Sequence, residues 1–166
     1  MRYQRSVIFA AILIAIVLAI AYGILTADIS ALPQPGPFET RMAASVRDWY
    51  IGRAAAHLSS KAPLNNASEV SQGEGLFSMA CAACHGKDGR NPTNIGKSMY
   101  PRVLDLGSPE VQKLSDSEIF WVIKNGVRLS GMPGFGNILS DDEIWQATSF
   151  VRSLRKSRDP CKARVE

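Results

Sequence analysis

The chain has 166 residues, enough for one compact domain with an appendage. Its formal charge of +4 is unevenly placed: Arg2 and Arg5 supply two, and six basic residues against Asp159 and Glu166 in 152–166 supply four more, so residues 6–151 sum to about −2. No basic face emerges for nucleic acid, which is excluded as a partner, and the basic tail reads as a solvated helix end.

The first element lies at the N-terminus. Residues 6–26 carry no charged side chain, and the nineteen residues of 7–25 are almost wholly Val, Ile, Leu, Ala and Phe. At about 1.5 Å per residue they span roughly 28 Å, close to the hydrocarbon thickness of a bilayer. A cleaved secretory signal is the competing reading, but the run exceeds the usual apolar core of about 7–15 residues. Small residues at cleavage spacing are also poorly matched after it, at Leu25/Ala27 and Ile29/Ala31. The expectation is a retained anchor over 1–27. Arg2 and Arg5 stay in the cytoplasm, making a single pass through the cytoplasmic membrane with the remainder on the outer, periplasmic side.

Residues 28–67 are expected to form a linker and an amphipathic helix. Leu32-Pro33-Gln34-Pro35-Gly36-Pro37 is a stiff connector. Phe38, Met42, Val46, Trp49 and Tyr50 then recur at helical spacing within 39–58, ending at Pro63. That helix packs on the domain, lies along the membrane surface, or docks a partner.

The folded domain is expected over 68–158, followed by a tail, 159–166. Residues 69–84 are helical in pattern. A loop follows through Gly86, Gly89, Pro92, Gly96 and Pro101, too rich in breakers for regular structure. Ser115-Asp116-Ser117-Glu118 is a capping box opening a helix that closes near Asn125-Gly126, and Ser140-Asp141-Asp142-Glu143 opens the last helix. Between them lies Gly131-Met132-Pro133-Gly134-Phe135-Gly136. No alternating strand pattern and no repeat is visible, so the fold class is all-α with long loops.

Cysteine usage carries the chemistry. Cys81 and Cys84 are two residues apart with His85 following at once, the spacing of covalent c-type haem attachment. On a helix, positions i, i+3 and i+4 share one face, so two thiols can meet two vinyl groups while the imidazole reaches the iron. A disulfide would leave His85 unexplained, a thioredoxin-like pair needs a βαβ context, and zinc needs a second ligand pair. The sixth iron position falls to Met132, where Gly131, Pro133 and Gly134 fix a rigid loop; Met79 and Met99 are its rivals. A thioether ligand raises the potential. Cys161, the odd cysteine, receives no role.

The block Gly73-x-x-x-Phe77-x-x-x-Cys81-Ala82-Ala83-Cys84-His85-Gly86, with Asn125-Gly126, Gly131-Met132-Pro133-Gly134-Phe135-Gly136 and a final capped helix, closely resembles the class I cytochromes c over residues 68–156. The resemblance implies one haem c with thioethers at Cys81 and Cys84 and iron ligated by His85 and Met132. It also implies a close crossing of Gly73 and Phe77 with the last helix, against Trp145, and a Pro101 carbonyl placed against the proximal imidazole. Trp121 either reaches a haem propionate or sits in the core.

The function implied is single-electron transfer as a carrier, not an enzyme, with membrane-bound or periplasmic redox proteins of a respiratory chain as partners. The alternative is a cytochrome subunit fixed in an oxidase or dehydrogenase complex. A haem that binds a small ligand needs an open sixth site and a distal acid–base group, and His57, the other histidine, reads as a surface residue.

Overall fold

An uninterrupted apolar run satisfies its backbone groups only within itself, and helix α1 (Arg2–Thr26) follows from that. Within it Gln4–Thr26 is long and apolar enough to cross a membrane. The computed structural model describes residues 2–27, 30, 32–58 and 66–155, without the side chains of Arg2 and Tyr3. Pro63, Cys161 and the tail lie outside the described residues. The chain divides into two units, Met1–Ser30 and Ala31–Glu166.

In the second unit the described residues are helical and loop, with no strand. Helix α2 (Pro37–Ala55) starts on a proline that needs no helical N–H partner. Helix α3 (Ala67–Ala80) is capped by Asn66, whose side chain accepts from the Ser68 N–H. The pattern that predicted one helix over 69–84 is broken at Cys81, where φ is −112°, and a single further turn, α4 (Ala82–His85), resumes beyond it. The long loop is less irregular than its glycines and prolines suggested. Thr93 caps α5 (Asn94–Ser98) and Ser108 caps α6 (Pro109–Gln112), two short helices that the breaker-rich sequence hid. Helices α7 (Asp116–Asn125) and α8 (Asp141–Ser153) both open on complete capping boxes, at Ser115/Glu118 and Ser140/Glu143.

Two clusters form the core. Ile119, Phe120 and Ile123 of α7 pack with Ile144, Trp145, Ala147 and Val151 of α8. Phe77 of α3 packs with Phe150 and Leu154. The α3–α8 crossing is close because Gly73 has no side chain: a Cβ there would fall inside the Gln146 carbonyl. Trp145 does not meet this crossing. Its ring stacks on Phe120 at 4.4 Å, and the aromatic partner of Phe77 across the crossing is Phe150, at 4.8 Å. Trp145 and Phe150 lie on different faces of α8, and it is the Phe150 face that turns to α3.

Buried polar groups are tied to the same frame. Gln112 Nε2 donates to the Leu106 and Val151 carbonyls at 2.7 and 2.9 Å. Arg152 pairs with Asp116 and donates to the Gln112 and Leu114 carbonyls, fastening α8 to the turn before α7. Helix α2 belongs to this unit through Ile51 and Ala55, both 3 % exposed. Ser117 donates to the Leu58 carbonyl at 3.1 Å, and Tyr50 meets Trp121 edge-on at 5.8 Å. Trp121 is therefore half-buried under α2 and is not a core tryptophan.

Candidate functional site: a CXXCH turn and a methionine loop

The helix break at Cys81 sets the geometry of the attachment motif. The Cys81 carbonyl accepts from the Cys84 and His85 amides at 3.1 and 3.0 Å, so residues 81–85 close into one turn at the end of α3. Gly86 ends that turn at φ 77°, a conformation open to glycine, and a Cβ there would strike the Asn91 carbonyl. Asp88 then folds the next loop back by accepting from the Arg90 and Asn91 amides, both at 3.0 Å.

The following segment clasps the motif from outside. Thr93 donates its hydroxyl to the Ala83 carbonyl at 2.7 Å and its amide to the Cys84 carbonyl at 3.1 Å. Gly96 lies so close over the Cys84 carbonyl that a side chain would not fit. Arg90 donates to the Leu154 carbonyl, and Leu154 also packs on Phe77. The motif is thus joined to α8 as well as to α3.

Both cysteines of the motif are free thiols, each half-buried. Burial, reinforced by the neighbouring Cys84, pushes the Cys81 thiol up to about 11 from an ordinary 9.0. It is therefore a neutral S–H at physiological pH. His85 is held below its ordinary 6.5 chiefly by burial, with the Leu104 carbonyl opposing the shift. Its Nδ1 is buried and makes no hydrogen bond of proper geometry. The backbone group whose influence opposes that lowering is Leu104. Pro101 is exposed.

Met132 sits in a loop fixed by backbone bonds. Val127 N–H donates to the Met132 carbonyl at 3.2 Å, and Ser130 Oγ accepts from the Met132 amide at 3.2 Å. Phe135 and Gly136 donate back to the Ile123 and Lys124 carbonyls of α7 at 3.0 and 2.9 Å. A Cβ on Gly126 or Gly134 would press on the facing strand of the loop, so both positions require glycine. Met132 is half-buried against the α7–α8 cluster. Its rivals differ: Met79 is 79 % exposed, whereas the Met99 sulfur lies directly over Gly131. The sequence placed Met99 in the wall, and its contact with the Met132 loop was not legible from spacing. His57 is exposed at the end of α2.

This donor set fits a covalently attached haem. Two thiols free of any disulfide and a half-buried imidazole with a buried Nδ1 occupy five consecutive residues. Among the described residues no three His, Cys, Asp or Glu converge as a bare metal ion would require.

Comparison with known proteins agrees. The family described as "Cytochrome C oxidase, cbb3-type, subunit III" matches residues 68–151. Cytochrome c6 of Pyropia yezoensis is 33 % identical over 87 residues, covering 52 % of this chain and 73 % of that protein. Cytochrome c6 of Porphyra purpurea matches with the same identity and coverage. Among solved structures, a chain of the Kuenenia stuttgartiensis reducing HAO-like protein complex Kustc0457/Kustc0458 shares the fold, with a TM-score of 0.50 and 24 % identity. That match covers 54 % of this chain and 45 % of the other, so less than half of the neighbour's length is represented. The chain belongs to the class I c-type cytochromes. A covalently bound haem c with its iron goes with that membership, and Cys81 and Cys84 stand at the attachment spacing.

Proposed function

We propose that this chain carries single electrons through a haem bonded to Cys81 and Cys84 and ligated by His85 and Met132, held by α1 at the outer face of the cytoplasmic membrane. The observation that carries the reading is the closed turn 81–85, with two free thiols and a half-buried imidazole presented together at the end of α3. The bound haem supplies a reversible Fe(III)/Fe(II) couple.

The chain's own residues do the rest. Cys81 and Cys84 would hold the haem as thioethers, each S–H adding across one vinyl group with no external oxidant needed. His85 would offer its imidazole to the iron, and the Leu104 backbone favours a proton on the ring. Thr93 and Gly96 lock the turn from behind, and the Val127–Met132 bond locks the thioether loop, so ligand positions change little between oxidation states. A thioether ligand favours reduced iron and a high potential.

Haem staining of the denatured chain, expressed in a haem-ligating host, tests the attachment. Voltammetry is expected to give one reversible one-electron wave, and a chain without bound haem overturns the reading.

A second reading makes the same domain a fixed subunit of a membrane oxidase or dehydrogenase. It is favoured by the matched family's description as an oxidase subunit and by the neighbour's occurrence in a complex. Purification from native membranes in mild detergent separates the two: stoichiometric companions support the subunit, a lone monomer the free carrier.

A further inference from the structure

Helix α2 has two apolar faces. One is formed by Ala44, Ile51 and Ala55 and is turned into the domain, where Gly52 lies close to Glu118 of α7. On the other side Phe38, Met42, Val46 and Trp49 recur at steps of four, four and three residues, a stripe about 80° wide at roughly 100° per residue. These four are 78, 52, 61 and 63 % exposed. A helix packed on its domain needs the first face only, and water selects against the second.

The chemistry around the stripe indicates what covers it. The Arg53 guanidinium lies over the Trp49 ring at 5.3 Å, within the stripe, and exposed Arg41 lies about 60° beyond its Phe38 edge. The carboxylates of α2 are engaged elsewhere: Glu39 accepts from the Tyr100 hydroxyl, and Asp48 pairs with Arg47 at 2.8 Å and Lys113 at 3.6 Å. Apolar and aromatic groups with arginine at their edge are the pattern of a helix lying in the headgroup layer. Covalent geometry adds the second argument. The ten residues 27–36 joining α1 to α2 reach at most about 35 Å when fully extended, and three prolines stiffen the stretch up to Pro37. A span at α1 therefore keeps the start of α2 near the lipid surface at high effective concentration.

We infer that the Phe38–Met42–Val46–Trp49 face of α2 seats in the headgroup region of the bilayer, fixing how the haem domain is presented above the membrane. The inference rests on α1 spanning that bilayer.

Hydroxyl-radical footprinting of the full haem-loaded chain in nanodiscs of phosphatidylcholine and phosphatidylglycerol tests it, with Met79 as the exposed reference in the same molecule. By exposure in water Met42 and Met79 differ less than two-fold. Seating is expected to lower Met42 oxidation at least five-fold below that of Met79, and Val46→Glu, a change on the outward face, is expected to restore it. Comparable oxidation of the two methionines in a chain that floats with lipid overturns the inference and leaves the anchor standing. A chain that does not float with lipid vesicles removes both. Protection of Met42 in native membranes but not in pure-lipid discs assigns the face to a protein partner and overturns the lipid seat.

Discussion

At the scale of single residues, two glycines one turn-half apart in α3 make opposite demands. Gly73 abuts the Gln146 backbone and Gly75 faces open space. Gly73→Ala is expected to destabilise the haem-loaded domain by about 1–3 kcal/mol, since backbone must move at the helix crossing. Gly75→Ala is expected to stabilise it by up to about 1 kcal/mol through helix propensity. Denaturant midpoints of the two variants check both signs. Met132 makes a different kind of prediction, because its side chain is read as setting the iron's electronics. Met132→His is expected to abolish the sulfur-to-iron band of the oxidised spectrum. It also lowers the potential by on the order of 0.1 V or more, inside the roughly 0.8 V that axial ligands span. Met99→Leu, which touches Gly131 but keeps the loop's bonds, is expected to preserve that band.

At the scale of elements, the capping box of α8 gives a pH-dependent test. Ser140 and Glu143 are reciprocal: the Ser140 amide and hydroxyl donate to Glu143 Oε2 at 2.8 and 2.7 Å, and Ser140 Oγ accepts from the Glu143 amide at 3.4 Å. Replacing Ser140 by Ala at an N-cap typically costs about 1 kcal/mol. Those bonds, the hydroxyl's first, hold the Glu143 carboxyl below its ordinary 4.5. A depressed folded value means the stabilisation is present above pH 4.5 and is lost as pH falls through the lower folded value. The gap in thermal midpoint between wild type and Ser140→Ala is therefore expected to narrow in acid. It does not close, because the hydroxyl still accepts from the Glu143 amide.

The elements also show what a sequence makes legible. Both long capped helices were readable because each carries its start signal in four residues, and the CXXCH turn because three side chains of definite chemistry stand at fixed spacing. Helices α5 and α6 were hidden. Their stability comes from the Thr93 and Ser108 caps, from the packing of α5 on the attachment turn and from Val111 and Gln112 of α6 in the core, while their glycines and prolines read locally as loop. The Phe150 partner of Phe77 and the Phe120 partner of Trp145 depend on which face of α8 meets α3, which no local pattern encodes.

At the scale of the whole molecule, the compact unit reaches back beyond the matched family region to include α2. Its energetics and its placement are read as separable: helices α2–α8 hold the cofactor, and α1 decides where it works. Replacing 1–27 by a cleavable secretory signal is expected to release a haem protein into the soluble fraction with unchanged spectrum and potential. Its electron transfer to a membrane-bound partner is expected to slow by orders of magnitude, since tethers of this length supply effective concentrations near the millimolar range. Fractionation, voltammetry and stopped-flow reduction of native membranes check the three parts.

The hydrogen bonding around the site is also lopsided. The attachment turn is secured to distant parts of the chain, through Thr93, Gly96, Phe77 and the Arg90–Leu154 contact, whereas the methionine loop is secured mainly to its own neighbours between Ile123 and Gly136. Opening the first requires much of the domain to come apart; opening the second breaks a few short-range bonds and lifts Met132 and Phe135 off the edge of the α7–α8 cluster. An external base such as imidazole or cyanide should accordingly enter from the sulfur side, through a local excursion that leaves the rest of the protein folded, and depart again without loss of the porphyrin.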